Sequence, residues 1–112
     1  YNKGNHVRDF TYVEDVSDIV FKIYRELLKN RKLNNVYNVC GGSKISLMNL
    51  IDLIQKFTRK KIKIKLKPFQ RGDMLKTHGS KSKLKKIIKN KKFVSFSKGI
   101  KKTLDSDYFG VK

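Results

Sequence analysis

The chain has 112 residues, of which 38% are hydrophobic, so it has room for one domain with a modest core and not for a second folded unit. Its formal net charge of +19 is extreme for this size and would attract any polyanion, so nucleic acid has to be considered as a partner. Only 5 of the 28 cationic side chains are Arg, however, whereas base-reading surfaces favour Arg. Because Lys, Asn, Ile, Phe and Tyr share A/T-rich codons, codon composition explains the excess of Lys better than nucleic-acid binding does.

The cysteine content and the hydropathy of the chain bear on its compartment. A single cysteine, Cys40, cannot form an internal disulfide, and no apolar run approaches the ~20 residues of a membrane span. The N-terminus also lacks the hydrophobic segment of a signal peptide. We therefore expect a cytoplasmic protein with no membrane partner. Because the sequence begins at Tyr1 and not at Met, we also expect it to be a piece of a longer polypeptide.

The first predicted element is a helix from Glu14 to Lys29. Thr11 and Glu14 have the spacing of a capping box, in which the Thr hydroxyl accepts a hydrogen bond from the Glu14 amide. Acidic residues near this end complement the positive end of the helix dipole. Apolar residues recur on one face at helical spacing, and these are Val16, Ile19, Val20, Ile23, Tyr24, Leu27 and Leu28.

The middle of the chain predicts two strands and one helix. Residues 36–40 are a short β-prone run that stops at a double glycine. Ser46 is placed to cap a second helix, whose apolar face runs from Leu47 to Phe57. Residues 61–67 alternate strictly between Lys and apolar side chains, which predicts a half-solvated strand with lysines on its exposed face.

The remaining residues predict a loop and two further helices. The loop covers residues 68–79 and begins at the single Pro of the chain, a basic helix follows at about 82–89, and a last helix covers about 97–107. Strands and helices interleave, without an internal repeat. The predicted fold class is therefore α/β, a small mixed α/β domain that spans residues 1–112 as one unit.

Two places in the sequence could bind an anionic ligand. Arg71-Gly72-Asp73 puts a cation, a flexible backbone and a carboxylate together, which could meet a phosphate and a ribose hydroxyl, although an ordinary polar turn is the better interpretation of such a string taken alone. Arg8 lies just before the first helix, so its guanidinium could sit at the mouth of a cleft. Paired with Asp9 it could instead be a surface ion pair worth less than ~1 kcal/mol.

Other chemistry is poorly supported by the sequence. Cys40 has no base at a recognisable spacing, so a buried structural thiol is the better interpretation, and two histidines and one cysteine without clustered acids argue against a zinc site. Tyr108 and Lys112 match a Y-x-x-x-K motif, but about one such match is expected by chance and Gly110 lies inside it. No glycine-rich dinucleotide motif occurs, so we predict no catalytic residue, no cofactor site and no redox activity for this chain by itself.

A set of short motifs, weak one by one, occurs in a specific order and spacing. The motifs are Tyr1-Asn2-x-Gly4, Arg8-Asp-Phe-Thr-Tyr-Val-Glu-Asp15, Val36-Tyr-Asn-Val39, Leu47-Met48, Gln70-x-Gly-Asp73 and Gly99-Ile100. Together they resemble the C-terminal third of extended short-chain dehydrogenase/reductases. Among these, the resemblance is greatest to nucleotide-sugar epimerases, particularly UDP-glucuronate 4-epimerases, and it runs from Tyr1 to about Leu104.

The resemblance implies a division of labour between two domains. An N-terminal Rossmann domain, outside this chain, would hold NAD and the catalytic Tyr-Lys pair. The C-terminal domain would close over the UDP-sugar, whose hexose is oxidised and reduced again at C4. The partners implied are the UDP-sugar and the chain's own Rossmann domain, and a homodimer is compatible with the resemblance.

The resemblance also implies roles for four residues. Arg8 corresponds to the family arginine that binds the diphosphate, and Asp73 to the aspartate that approaches the uridine ribose. Gln70 stands where other members have a phosphate-binding arginine, as it does in the glucuronate group, and Arg71 replaces a proline. A further departure is His78-Gly-Ser80, where the family commonly has Ala-Asp after an aromatic residue.

Three alternatives to epimerase-type UDP-sugar binding remain open at this point. The chain could belong to a related nucleotide-sugar dehydratase, or it could complete the fold or dimer of a degenerate enzyme. It could also be a standalone basic module that binds nucleic acid or another polyanion through the lysine-rich stretches 60–67 and 81–92. Against this last alternative, the aromatic residues at positions 10, 12, 57, 93 and 96 are better placed for a core than for base stacking.

Overall fold

The computed structural model describes residues 1–29 and 35–106. It confirms a small mixed α/β fold with a two-stranded antiparallel sheet, β1 (Val7–Asp9) and β2 (Lys44–Ser46). Arg8 pairs with Ile45 at the centre of this sheet. The helices are α1 (Val13–Lys29), α2 (Leu47–Thr58), α3 (Ser82–Ile87) and α4 (Phe96–Leu104), and a 3-10 turn, Asn2–Gly4, precedes β1.

Helix α1 confirms the predicted helix, but its predicted cap is wrong. The hydroxyl of Thr11 accepts a hydrogen bond from the Gly41 amide at 2.9 Å, so it is engaged by a distant loop and not by Glu14. The Glu14 carboxylate accepts hydrogen bonds from Tyr12 and Lys102 instead. The lysine lowers the pKa of Glu14. Tertiary contacts have therefore replaced the local capping box.

The predicted apolar face of α1 is divided between the core and the surface. Ile19 is completely buried and Ile23 packs against the core, whereas Val20, Tyr24 and Leu28 are more than half exposed. The core itself is small: Ile19, Leu84 and Ile88 form its centre, with Tyr37, Val39 and Phe93 packed around them.

An ion cluster fixes α1 against the segment before α4. Asp15 is 1% exposed, accepts a hydrogen bond from the Val94 amide at 2.8 Å and lies 2.8 Å from the Lys91 ammonium. The same ammonium donates to Asp18 at 2.8 Å. These contacts raise the pKa of Lys91, with the Asp15 hydrogen bond as the largest cause, and lower that of Asp18. The acids predicted to serve the helix dipole thus also make long-range contacts.

Helices α2, α3 and α4 lie close to their predicted positions. Ser46 caps α2 by accepting a hydrogen bond from the Asn49 amide at 3.1 Å, which confirms the predicted cap. Helix α3 is shorter than predicted because Ile88 is already extended. Helix α4 begins one residue earlier than predicted, capped by Ser95, and it ends at Leu104, before the predicted end at about residue 107.

Both predicted strands after α1 are wrong in the described part of the chain. Residues 36–40 form no strand, since no described segment pairs with their backbone, and Val36 is 81% exposed. Residues 61–67 are tied only near their ends, where Gln55 accepts the Ile62 amide at 2.9 Å and the Lys67 carbonyl accepts the Lys3 amide at 3.0 Å. Alternation predicts a pleated conformation, but a strand also needs a hydrogen-bonded neighbour.

The aromatic side chains pack as predicted. Phe10 and Phe96 lie with ring centroids 5.2 Å apart, and Phe93 packs against the core beneath the Lys81 ammonium. Among the described helices, none is both long enough and apolar enough to cross a lipid bilayer.

Candidate functional site

Arg8 occupies the middle of β1, which is held on both sides. One side pairs with β2, and on the other the Val7 amide donates to the Leu75 carbonyl at 2.9 Å while the Thr77 amide donates to Val7 at 3.1 Å. The Nη1 group of Arg8 donates to the carbonyls of Val7 at 3.0 Å and Leu75 at 3.5 Å. The backbone therefore orients the guanidinium before any ligand binds.

Asp73 is brought to Arg8 by the loop that runs beside β1. A turn closed by the Asp73 amide on the Gln70 carbonyl, at 3.1 Å, precedes it, and Gly72 adopts a positive φ of 89° in this turn. Asp73 Oδ1 lies 3.5 Å from Arg8 Nη2, and each of the two side chains is 34% exposed. The structure thus joins the two predicted ligand contacts from distant parts of the sequence into one half-exposed pair.

Gln70 and Arg71 share the turn with Asp73 but are not part of this pair. Both are exposed, and in the described chain neither side chain makes a hydrogen bond or an ion pair. Four residues were predicted to meet a ligand together. Two of them are in contact, and the other two lie beside them on the surface.

Asp9 does not form the surface ion pair with Arg8 that was one of the alternatives. Its side chain is only 5% exposed; Oδ1 accepts the Gly42 amide at 2.8 Å, and Oδ2 lies 3.3 Å from Nδ1 of His78. Adjacent residues of a strand point to opposite faces, so Arg8 points to one side and Asp9 to the other. Asp9 is therefore a structural group that joins β1 to the double-glycine loop.

The double glycine does not fit the phosphates of a dinucleotide. The Gly41 amide already donates to Thr11 and the Gly42 amide to Asp9, so both backbone donors are used. A Cβ atom on Gly41 would lie 2.5 Å from the Phe10 carbonyl oxygen, which shows how closely the loop approaches β1. The described residues thus offer no dinucleotide-phosphate site at this loop.

Cys40 confirms the prediction of a buried structural thiol. It is 6% exposed, and burial, helped by the negative charge of Asp9, raises its pKa above the ordinary value. Nucleophilic cysteines need the opposite shift. No group of three potential metal ligands exists among the described residues, and Tyr108 and Lys112 lie outside them.

Sequence reasoning missed His6, which is buried at the base of the Arg8 and Asp73 pair. It is 6% exposed, and its Nε2 lies 3.1 Å from Asp73 Oδ2. The available signal was its position two residues before Arg8, because alternate residues of an extended segment share one face.

The chain is similar to sugar-nucleotide enzymes along most of its length. It is 36% identical to an uncharacterized protein of Methanocaldococcus jannaschii over 91% of this chain and 30% of that protein. It is 26% identical to the UDP-glucuronate 4-epimerase of Thermodesulfobacterium geofontis over 94% of this chain and 31% of the relative. The chain thus spans about a third of the length of these curated relatives. No family model matches.

A solved structure agrees with the sequence relatives. The UDP-glucuronic acid 4-epimerase of Bacillus cereus, in complex with NAD, superimposes with a TM-score of 0.68 and 25% identity over 89% of this chain and 30% of that one. Sequence and fold point to the same enzymes, as the ordered motifs predict. The chain is therefore similar over most of its length to nucleotide-sugar epimerases, which confirms the predicted resemblance, and its length is consistent with a C-terminal fragment of such an enzyme.

Proposed function

We propose that this chain is the UDP-sugar-binding part of an NAD-dependent nucleotide-sugar epimerase. The observation that carries the proposal is the pairing of Arg8 with Asp73, two residues that are distant in sequence and 3.5 Å apart in the fold. They are the two positions to which the family resemblance assigns the diphosphate and the ribose. The relatives named as UDP-glucuronate 4-epimerases favour an epimerase over a dehydratase.

Arg8 suits a diphosphate because of the state of its guanidinium. Its Nη1 donors are used by backbone carbonyls, whereas its Nε–H has no acceptor among the described residues. A half-exposed guanidinium with a fixed plane and a free edge can donate a charge-assisted hydrogen bond to a phosphate oxygen. Asp73 beside it can accept from a ribose hydroxyl. NAD and the oxidation and reduction at C4 belong to residues outside this chain.

The test of this proposal is an arginine substitution in the complete gene product. Arg8→Ala should weaken UDP binding, measured by calorimetry, by about 10- to 100-fold, the equivalent of ~1.5–3 kcal/mol for a hydrogen bond to a charged group. Arg59→Ala removes the same charge at an exposed residue that follows α2, away from both Arg8 and the outer side of α1. It should leave the affinity unchanged. Equal effects of the two substitutions would count against a diphosphate contact at Arg8.

We also propose that the missing two thirds of the enzyme, its Rossmann domain, covers the outer side of α1. Val13, Val20, Phe21, Tyr24 and Leu28 are each at least 55% exposed. The accessible surface of the chain is 9200 Å², against roughly 6400 Å² for a compact monomer of this mass. The unpaired run at 36–40 would gain its neighbouring strand from the same domain.

Footprinting tests this assignment. Hydroxyl radicals should modify Phe21 and Tyr24 much more slowly in the complete gene product than in the 112-residue chain. Equal rates of modification in the complete gene product and in the 112-residue chain would show that the Rossmann domain does not cover this face. Protection that disappears on dilution would assign the face to a homodimer instead.

Polyanion binding remains a second candidate, supported by the exposed lysines of residues 60–67. Such binding would weaken steeply with salt and show no preference for UDP. A UDP affinity that changes little between low and moderate salt, with no measurable binding of single-stranded DNA, would reject it.

A further inference from the structure

His6 is a buried polar side chain that the small core does not require. It is 6% exposed, and its Nε2 has no hydrogen-bond partner in the described chain, although Asp73 Oδ2 lies 3.1 Å away. Leaving such a buried atom without a hydrogen-bond partner destabilises the fold. A small movement of the two side chains would let His6 Nε2 donate a hydrogen bond to the Asp73 carboxylate.

The two residues differ in how firmly the fold holds them. The His6 carbonyl accepts the amide of Leu47, the first residue of α2, at 2.9 Å, and the next residue, Val7, is hydrogen-bonded on β1. Asp73 follows an exposed turn in which Gly72 has no neighbour where its Cβ would lie. His6 is therefore the fixed member of the pair, and Asp73 is the member that needs an anchor.

The geometry assigns the two carboxylate oxygens of Asp73 to two different neighbours. Oδ1 faces Arg8 and Oδ2 faces His6. Each oxygen of a carboxylate can accept more than one hydrogen bond, so both neighbours leave acceptor capacity for a ligand. A carboxylate held through both oxygens would not rotate away from the surface that it presents.

We propose that His6 is a positioning residue that donates from Nε2 to Asp73 and thereby sets the preference of the site for a ribonucleotide. The proposal rests on the proposed function, in which Asp73 accepts hydrogen bonds from the ribose. His6 itself is too deeply buried to touch the nucleotide. Its effect is therefore confined to interactions that pass through the Asp73 carboxylate.

The experiment compares UDP with 2′,3′-dideoxy-UDP, which lacks both ribose hydroxyls, on the complete gene product by calorimetry. The wild-type protein should prefer UDP. His6→Leu should weaken UDP binding about fivefold or more, as expected for the loss of one hydrogen bond. The affinity for the dideoxy nucleotide should not change. His6→Gln retains an N–H donor at a similar reach and should restore much of the preference. His6→Asn, too short to reach Asp73, should behave like His6→Leu and replaces it if the leucine variant does not fold.

Each contrary result has its own meaning. Equal losses for both nucleotides in the histidine variants, or an unchanged preference, would overturn the positioning role and leave the proposed function intact. A wild-type protein that binds both nucleotides equally would overturn the ribose contact of Asp73 and this inference with it, while a diphosphate contact at Arg8 would stand. A wild-type protein that does not bind UDP would overturn the proposed function.

Discussion

Lys91 should be the most important lysine for the stability of this very basic chain. Its ammonium lies 2.8 Å from Asp15, whose side chain is 2% exposed, and the Lys91 side chain itself is 14% exposed. Lys91→Met keeps most of the side-chain volume but leaves the Asp15 carboxylate buried, with the Val94 amide as its one remaining partner among residues 1–29 and 35–106. Breaking a buried ion pair on one side costs about 3–5 kcal/mol, and the retained amide contact favours the lower end, about 3 kcal/mol.

The neighbouring lysine provides a matched control. Lys92 is exposed and has no ion pair among the described residues, so Lys92→Met should change the free energy of unfolding by less than about 0.5 kcal/mol. Urea unfolding of the complete gene product, followed by circular dichroism at neutral pH, measures both variants. Equal free energies of unfolding for the Lys91 and Lys92 variants would refute the structural role assigned to the ion cluster.

The pH dependence of the free energy of unfolding also tests the ion cluster. The pKa of Lys91 is raised above its ordinary value of 10.5, so the stabilisation from this group is fully present below that pH and is lost as the pH rises through the higher folded-state pKa. The pKa of Asp18 is lowered from 3.8, so its contribution is present above that pH and is lost in stronger acid. The pKa of Lys102 is raised as well, by its hydrogen bond to Glu14, so Lys91→Met should reduce the alkaline loss of stability without abolishing it. An alkaline loss of the same size in the variant and the wild type would contradict this cause.

Three further predictions concern single sites. Ser46→Ala should cost about 1 kcal/mol of stability in urea unfolding because α2 loses its cap, whereas Ser43→Ala, at an exposed position before β2, should cost little; equal effects would argue against the cap. Gly41→Ala should lower the melting temperature by several degrees, since its Cβ would meet the Phe10 carbonyl at 2.5 Å; an unchanged value would show that the loop can move. Cys40 should react with a thiol reagent at neutral pH only after denaturation, because burial raises its pKa, and rapid reaction of the native protein would contradict the assignment.

The sequence predicts the helices well because their signals are local. The periodicity of α1 and the serine cap of α2 act within a few residues, so no knowledge of the rest of the fold is needed. The strands at 36–40 and 61–67 fail because pairing depends on a neighbour, and no described segment supplies one. The predicted Thr11 cap is wrong for a related reason. Glu14 has the correct spacing from Thr11, but the Thr11 hydroxyl accepts its hydrogen bond from the Gly41 amide.

The candidate site was predictable only in part. The motifs identify Arg8 and Asp73, but that they meet depends on the loop at 75–77 lying beside β1, which the sequence does not show. His6 carries no motif and is noticed only when its burial beneath Asp73 is seen. Gln70 and Arg71 lie exposed in the turn before Asp73, and their contacts with a UDP-sugar stay a prediction.

The most direct test of the central claim is the conversion of UDP-glucuronate to its C4 epimer by the complete gene product in the presence of NAD. We expect epimer to form until the two sugars reach equilibrium, and Arg8→Ala to reduce the rate at low substrate concentration while Arg59→Ala does not. A pure complete gene product that binds UDP-glucuronate but forms no C4 epimer would contradict the assignment to an epimerase, and one that does not bind it would contradict the UDP-sugar site as well.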